Sequence, residues 1–146
     1  VLINNYYSYS NNNGEQIIET RNLYAANFTN CIIDGNSNIE LIIDRAEGSV
    51  FNYTFKNNLI KFNDYNQSYN DISEYNFEDT DHFQNNILNG NPDFKSATNN
   101  QLIIGQNSDA IQKANAQEST LIPYDILGIP RTVPADIGAY QHTYFN

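Results

Sequence analysis

The sequence of 146 residues contains no methionine, no tryptophan and a single cysteine, Cys31, and it is poor in basic residues. One cysteine excludes an internal disulfide bond and a metal centre built from several cysteines. Seven Lys and Arg residues against 17 Asp and Glu residues give a formal net charge of −10, which repels nucleic-acid phosphates and anionic lipid surfaces. No run approaches the roughly 18 apolar residues that a membrane-spanning helix needs. We therefore expect no nucleic-acid partner and no membrane insertion.

The absence of methionine bears on whether the chain is a whole translation product. A chain that opens at Val1 without an initiating residue is expected to be a piece of a longer translation product, so a secretion signal could lie upstream. The length itself suits one compact domain.

Asparagine is abundant instead, with 26 copies. Asn-rich polar tracts can be disordered, but here short β-branched and aromatic runs interrupt them, as in Ile39–Ile43 and Phe51–Phe55. Asparagine tolerates the left-handed backbone conformation better than other non-glycine residues. The composition therefore favours a fold with many sharp corners.

A repeat of 27 to 28 residues runs through the first two thirds of the chain. The pattern Phe-x-Asn-x-(Ile/Leu)-(Ile/Leu)-x-x-Asn begins at positions 28, 55 and 83. Between the copies lie strand-like pieces and turn residues with almost no helical periodicity, which excludes a helical solenoid, and the repeat is too short for a propeller blade. The sequence predicts an all-β, right-handed parallel β-helix of three to four coils over residues 1–90, followed by a last coil and a capping segment over residues 91–146.

In such a coil, equivalent residues of successive turns stack about 4.8 Å apart. We expect an aromatic column in the interior and an aliphatic column beside it, and at two corners ladders of asparagine amides that bond one another. The predicted sets are Phe28, Phe55 and Phe83; Ile32, Leu59 and Ile87; Asn30, Asn57 and Asn85; and Asn36, Asn63 and Asn91.

The end of the chain follows a different pattern. It reads Asn91-Pro92-Asp93-Phe94, Ser108-Asp109-Ala110-Ile111, Asp125 to Arg131 and Asp136-Ile137-Gly138-Ala139-Tyr140. Over about residues 25–142 this resembles bacterial right-handed β-helix proteins with a choice-of-anchor Q type domain, common among secreted and surface proteins of the Bacteroidetes. The resemblance implies an extracellular or cell-surface protein and no particular activity.

Three charged residues near the end of the sequence are expected to form a latch, that is, a set of ion pairs that holds the terminal loops in place. An arginine between two carboxylates can form bidentate, charge-assisted bonds, so we expect Arg131 to bind Asp125 and Asp136 and to hold irregular chain over the open end of the coil. The other end has no such segment. We therefore expect its first coil to stack on an upstream β-helix region or on another protein chain.

Two groups are candidates for binding. Five carboxylates, which could hold calcium, occur within eleven residues: Asp71, Glu74, Glu78, Asp79 and Asp81. No EF-hand spacing is present, and a solvated surface is the simpler explanation. Exposed Tyr65, Tyr69 and Tyr75 could stack on sugar rings, with packing against the coil wall as the alternative. Tyr6, Tyr7 and Tyr9 also lie close together.

No catalytic residue emerges, because neither His82 nor His142 has a recognisable nucleophile partner and no cofactor beyond calcium is suggested. The sequence favours a structural or adhesive surface module that binds protein or glycan and is not catalytic by itself. The alternative is the terminal piece of a β-helix polysaccharide lyase or glycoside hydrolase whose active site lies upstream.

Overall fold

The computed structural model describes residues 1–145. Short strands dominate it, and helix within that range is confined to one six-residue α-helix and two single 3-10 turns. The chain is therefore all-β, as the sequence predicts. In chain order the elements are β1 (Leu2–Asn4), β2 (Tyr6–Ser10), β3 (Gln16–Thr20), β4 (Leu23–Thr29), β5 (Ile32–Ile33), β6 (Ile42–Asp44), β7 (Phe51–Lys56), β8 (Leu59–Ile60), β9 (Phe83–Gln84), β10 (Ile87–Leu88), β11 (Phe94–Ser96), β12 (Gln101–Ile104) and α1 (Ala116–Leu121).

The repeat copies pair with one another as parallel strands. One sheet has the order β4-β7-β9 and a second the order β5-β8-β10, and a parallel pair β1-β6 forms a third. In the first sheet Phe28 is opposite Phe55, and Phe55 is opposite Phe83. The strand partners thus follow the spacing of the sequence repeat.

The aromatic column is confirmed. The Phe28 and Phe55 rings stack with centroids 4.8 Å apart and planes within 8°, and the Phe55 and Phe83 rings stack at 5.6 Å and 12°. Phe55 is fully buried, and Tyr53 and Ile60 pack in the same core. Offset aromatic stacking adds to the burial of apolar area, which makes this column the centre of the core.

The aliphatic column is aligned as predicted but faces the other way. Ile32, Leu59 and Ile87 are in register across the second sheet. Leu59 is fully buried in a separate core together with residues of the C-terminal segment, whereas the next residue, Ile60, belongs to the aromatic core. Successive side chains of a strand point to opposite faces, so the expected interior position of this column is wrong.

The first predicted asparagine set lies at a corner of the chain, as expected, but its side chains do not form the predicted amide ladder. Asn30, Asn57 and Asn85 have φ angles of 57°, 52° and 52°, the left-handed conformation that turns the chain from the first sheet to the second. Their amides do not bond one another. Asn30 Oδ1 accepts from Asn115 N at 2.6 Å, and Asn57 Nδ2 donates to Lys113 O at 2.9 Å. These side chains bind the C-terminal segment.

The amide ladder lies one residue further along. Asn58 Nδ2 donates to Asn86 Oδ1 at 3.0 Å and to Phe28 O at 3.0 Å, and Cys31 N donates to Asn58 Oδ1 at 2.8 Å. Asn86 Nδ2 donates to Phe55 O at 2.9 Å. Asn58 is completely buried. Each amide therefore satisfies backbone groups of the preceding turn that the left-handed corner leaves unpaired.

The second asparagine set forms no ladder. Among residues 1–145, no hydrogen bond joins any two of Asn36, Asn63 and Asn91. The bonds between turns at this corner come instead from Asn89, whose Oδ1 accepts from Phe62 N at 2.7 Å and whose Nδ2 donates to Phe62 O at 3.1 Å. Asn89, which forms these bonds, lies two residues before the predicted position Asn91.

Two antiparallel hairpins depart from this parallel pairing. Strands β2 and β3 pair from Tyr6↔Thr20 to Ser10↔Gln16, and β11 pairs with β12. The first hairpin lies between β1 and β4, within the range predicted as uniform coils, so that expectation is wrong for residues 6–20. Its tight turn is closed by Asn11, whose Oδ1 accepts from the Asn13 and Glu15 amides.

The C-terminal segment packs along the flank of the stacked turns rather than lying only over one end. Gly138 N donates to Asn30 O at 2.9 Å, in the first turn of the repeat, and Asp109 N donates to Asn91 O at 2.9 Å, beyond the third. Ile104, Ala110 and Ile137 are buried against the outward column that contains Leu59. The segment is thus a wall of the fold.

Replacing Phe55 with alanine is expected to lower the free energy of unfolding by about 3–5 kcal/mol, because the ring is lost from the middle of a packed column. Urea denaturation followed by circular dichroism measures the loss. Tyr65→Ala removes a ring that is 76% exposed and is expected to change stability by no more than about 0.5 kcal/mol. Equal losses in the two variants would refute the column as the centre of the core.

Candidate functional site

The three tyrosines proposed to bind sugars do not share a surface. Tyr65 is 76% exposed, whereas Tyr75 is 8% exposed. Tyr69 is half-buried, with its ring centroid 4.6 Å from that of Tyr75 and 5.5 Å from that of Phe62. The expectation of a ring platform at these positions is wrong, and the alternative of packing against the coil holds for two of the three.

Tyr75 has a structural task in the long connection between β8 and β9. Its hydroxyl accepts from Ile43 N at 2.8 Å and lies 3.3 Å from Ile43 O. Strand β6, which contains Ile43, pairs with β1 on its other side. The Tyr75 hydroxyl therefore forms hydrogen bonds with the backbone N–H and carbonyl of Ile43, which a further parallel strand would otherwise pair.

The acidic residues of the same connection are spread around it. Of Asp71, Glu74, Glu78, Asp79 and Asp81, two accept hydrogen bonds that are local or peripheral: Asp79 Oδ1 from Asp81 N at 3.0 Å, and Glu74 Oε2 from Ser73 Oγ at 2.9 Å. Within residues 1–145, no group of three or more His, Cys, Asp or Glu side chains lies close enough to hold a metal ion. The structure does not assemble these five carboxylates into one site.

A cavity of about 100 Å³ lies beside that connection, lined in part by Arg45, Glu74, Asp79 and His82. The His82 ring stacks on Tyr53 with centroids 4.1 Å apart, and its Nδ1 lies 2.9 Å from Tyr53 O. Burial raises the pKa of Tyr53 to about 12, with a further contribution from the nearby carboxylates. The imidazole is held by a ring and a backbone carbonyl, and among the described residues its ring nitrogens form no hydrogen bond with a carboxylate.

The three latch residues meet, but not as the predicted ion pairs. Arg131 Nη2 donates to Gly138 O at 2.9 Å and Nη1 donates to Asp136 O at 3.4 Å, both backbone carbonyls. Among the described residues, no carboxylate oxygen lies within 4.0 Å of its guanidinium nitrogens. The expected binding of Arg131 to the Asp125 and Asp136 carboxylates is wrong, because backbone groups use all three side chains.

Both aspartates organise the terminal loops through backbone amides. Asp136 is completely buried, and it accepts from Gln112 N at 2.9 Å and from His142 N at 2.7 Å, with His142 Nδ1 at 2.8 Å. Burial works to raise the pKa of Asp125, but the amides of Ile129, Gln141 and Leu127 and the nearby charge of Arg131 outweigh it, and the pKa is lowered. Hydrogen bonds from backbone N–H groups thus contribute more than the cation to holding this carboxylate in its charged form.

A polar and aromatic surface on the hairpin is the arrangement best suited to binding. We call it the hairpin stack, formed by Tyr7, Tyr9, Glu19 and Arg21. The two tyrosine rings stack with centroids 5.9 Å apart and planes within 21°, and they are 47% and 43% exposed. The Arg21 guanidinium carbon lies 5.1 Å from the centre of the Tyr7 ring. Exposed rings beside charged groups offer both an apolar face and polar contacts.

Glu19 joins the parts of the hairpin stack. Its carboxylate accepts from Tyr7 Oη at 2.7 Å, Tyr9 Oη at 3.0 Å and Arg21 Nη2 at 2.9 Å. These hydrogen bonds, from Tyr7 first and then from Arg21 and Tyr9, lower the pKa of Glu19 to about 2, and the same bonds raise the pKa of each tyrosine. The carboxylate is charged throughout the physiological range, so the arrangement needs no proton uptake to form.

Sequence reasoning noted the nearby tyrosines but not the groups that face them. The available signal was alternation: Tyr7 and Tyr9 fall on one face of a strand, and an Asn-rich turn with Gly14 separates them from a second alternating strand that presents Glu19. Strands on either side of such a turn form a hairpin. Pairing them places Glu19 opposite Tyr7.

No protein-family model, no curated protein and no solved structure matches the chain. Within residues 1–145, no helix has the length and apolar character needed to cross a membrane.

The Glu19 carboxyl is expected to titrate with a midpoint near pH 2, observed by NMR of its side-chain carbon. Its folded pKa lies below the unfolded value of about 4.3, so the interaction stabilises the hairpin fully above that pH and is lost as the pH falls toward 2. Tyr7→Phe removes the strongest contributor and should raise the midpoint, while Tyr65→Phe should not. A midpoint in the ordinary range in the parent protein would contradict the geometry.

Asp136→Ala is expected to lower the free energy of unfolding by about 1–3 kcal/mol for each amide left without an acceptor. It should also make the chain after Gln112 cleavable by protease before global unfolding. Asp81→Ala, at an exposed turn, is the control and is expected to leave both measurements near those of the parent. Resistance of the Asp136 variant to cleavage would show that this carboxylate does not hold the segment.

Proposed function

We propose that the chain is a module of a right-handed parallel β-helix that serves as a structural and adhesive element of a secreted or surface-displayed bacterial protein, and that it binds glycans through the hairpin stack. The module is not catalytic by itself. The observation that carries the binding role is the pair of exposed, stacked tyrosine rings with a carboxylate and a guanidinium beside them.

Parallel pairing in register supports the β-helix. Two sets of three strands are joined at the spacing of the sequence repeat, each set parallel throughout. Parallel neighbours require a long crossover, and a complete winding of the chain provides one. The terminal motif around Asp136 that resembles the choice-of-anchor Q type points the same way.

The end of the stack at the first turn supports a partner there. Strands β4 and β5 are terminal in their sheets, and Phe28, the last ring of the column, is only half-buried. Strand β1 is parallel to β6 and so occupies the place of the third strand of a preceding winding. A further β-helix coil, either from an upstream region or from another chain, would pair with these free strand edges and cover the ring.

The chemistry of the hairpin stack suits a sugar. The C–H face of a pyranose packs on an aromatic ring, and its hydroxyls exchange hydrogen bonds with carboxylate and guanidinium groups. The hairpin belongs to neither of the two cores; Tyr7 to Ser10 of β2 are exposed, whereas three of the five residues of β3 are half-buried. A rigid coil that presents such a hairpin offers the surface at low cost in ordering on binding.

A glycan array probed with the labelled protein tests the proposal. We expect a defined set of neutral or amino sugars to bind, and Tyr7→Ala combined with Tyr9→Ala to weaken that binding at least about tenfold. Tyr65→Ala is the matched control, since that ring is exposed but has no stacked neighbour. Circular dichroism of each variant verifies the fold.

Two results would overturn the proposal. One is the absence of glycan binding, and the other is binding that the hairpin variant retains in full. Incubation of the protein with any glycan that binds, followed by analysis of reducing ends, tests the non-catalytic assignment, which cleavage would refute.

A further inference from the structure

A groove separate from the hairpin stack lies between the flank of the coil and the C-terminal segment. We call it the Arg131 groove. Its volume is about 440 Å³, within the range of small-molecule sites. Its walls come from three parts of the chain: Ile32 from the second sheet, Phe94, Leu102 and Ile104 from the β11–β12 hairpin, and Ile122 with Arg131 from the C-terminal segment.

The walls are apolar and in part uncovered. Ile104 is buried, but Leu102 is 42% exposed and Ile122 is 62% exposed. These residues lie outside the repeat, so stacking of the coil does not demand aliphatic side chains there. Contiguous exposed apolar surface in a chain of this charge marks a place where something binds.

Arg131 gives the groove its polarity. It is the one charged side chain in the lining. Two of its N–H groups bind the Gly138 and Asp136 carbonyls, which fixes the guanidinium, and a guanidinium has five N–H donors. None of the described carboxylates lies within 4.0 Å of its guanidinium nitrogens, although its charge also contributes to the lowered pKa of Asp125. An oriented cation at an apolar groove attracts an anionic ligand of matching shape locally, and this attraction acts against the repulsion from the net charge of −10.

We propose that the Arg131 groove binds a medium-chain aliphatic carboxylate, with the carboxylate on the free guanidinium donors and the alkyl chain against Ile32, Leu102 and Ile122. Carboxylates match the planar fork of arginine, and the alkyl chain buries the exposed aliphatic surface. The binding is independent of the glycan role, because the two surfaces share no residue.

Cys31 supplies a reporter, since it is the single cysteine of the chain and lies at the border between the groove and the aromatic core, against which its side chain also packs. Its rate of alkylation by iodoacetamide, a neutral reagent, is measured with and without decanoate below the micelle concentration. Burial raises the pKa of the thiol, so mildly alkaline buffer is used. We expect decanoate to slow alkylation at least about tenfold at saturation, and decanol, which has no carboxylate, to protect far less at the same concentration.

A pair of substitutions locates the site. Ile122→Glu places a negative charge on the groove wall at an exposed position and is expected to abolish protection by decanoate. Ile126→Glu, at a residue that is 69% exposed and outside the groove, is the matched control and should keep it. Arg131 itself is left intact because it also holds the Gly138 carbonyl. For each variant, the alkylation rate with decanoate is compared with the rate of the same variant without it, so that a change in thiol reactivity caused by the substitution does not affect the result.

Three results would overturn the inference: no protection by decanoate, equal protection by decanol and decanoate, or full protection in the Ile122→Glu variant. Glycan binding measured on the same variants is expected to be unchanged. That readout separates failure of the groove from failure of the hairpin stack.

Discussion

The left-handed asparagine corner is the constraint on which the rest of the structure depends. At Asn30, Asn57 and Asn85 the chain turns from the first sheet to the second with the same backbone conformation, so both sheets can be in register at once. The turn leaves backbone groups unpaired, and the amides of Asn58, which is buried, and Asn86, which is half-buried, satisfy them. The corner thus fixes the direction of the chain. The asparagine that follows it supplies the hydrogen bonds that buried backbone groups need in the absence of water.

The alternation of side chains across the second sheet divides the molecule into two cores. Ile33 and Ile60 face the aromatic column, while Leu59 faces outward and is buried by the C-terminal segment. A strand buried on both faces is apolar at consecutive positions, which is why two adjacent aliphatic residues occur in each repeat copy. The C-terminal segment is therefore required to shield the outer column, and Asn30 and Asn57 bind it at the same corners that guide the coil.

The repeat made the strand pairing and the aromatic column predictable, because a residue that recurs at one spacing must stack when the strands pair in parallel. It could not show which face each residue takes. The pair Asn57-Asn58 illustrates the difficulty, since one amide is buried and its neighbour points to the flank, and only the corner's backbone conformation decides which. The charge pattern misled in the same way. The sequence suggests that Asp136 and Arg131 bind each other, but a main-chain amide binds the Asp136 carboxylate and main-chain carbonyls bind the Arg131 guanidinium.

The hairpin stack lies entirely, and the Arg131 groove mostly, where the chain departs from its repeat; Ile32 is a contribution of the repeat to the groove. Positions inside the stacked parallel strands are constrained by the neighbours above and below, so an aromatic or aliphatic residue there is explained by packing. The hairpin of Tyr7 and Tyr9 and the segment around Ile122 have no stacked counterpart, and their exposed apolar side chains stabilise no core. Exposed apolar side chains that pack in no core are the positions at which we propose that binding occurs. In a fold whose interior is dictated by repetition, the irregular insertions are the parts free to acquire function.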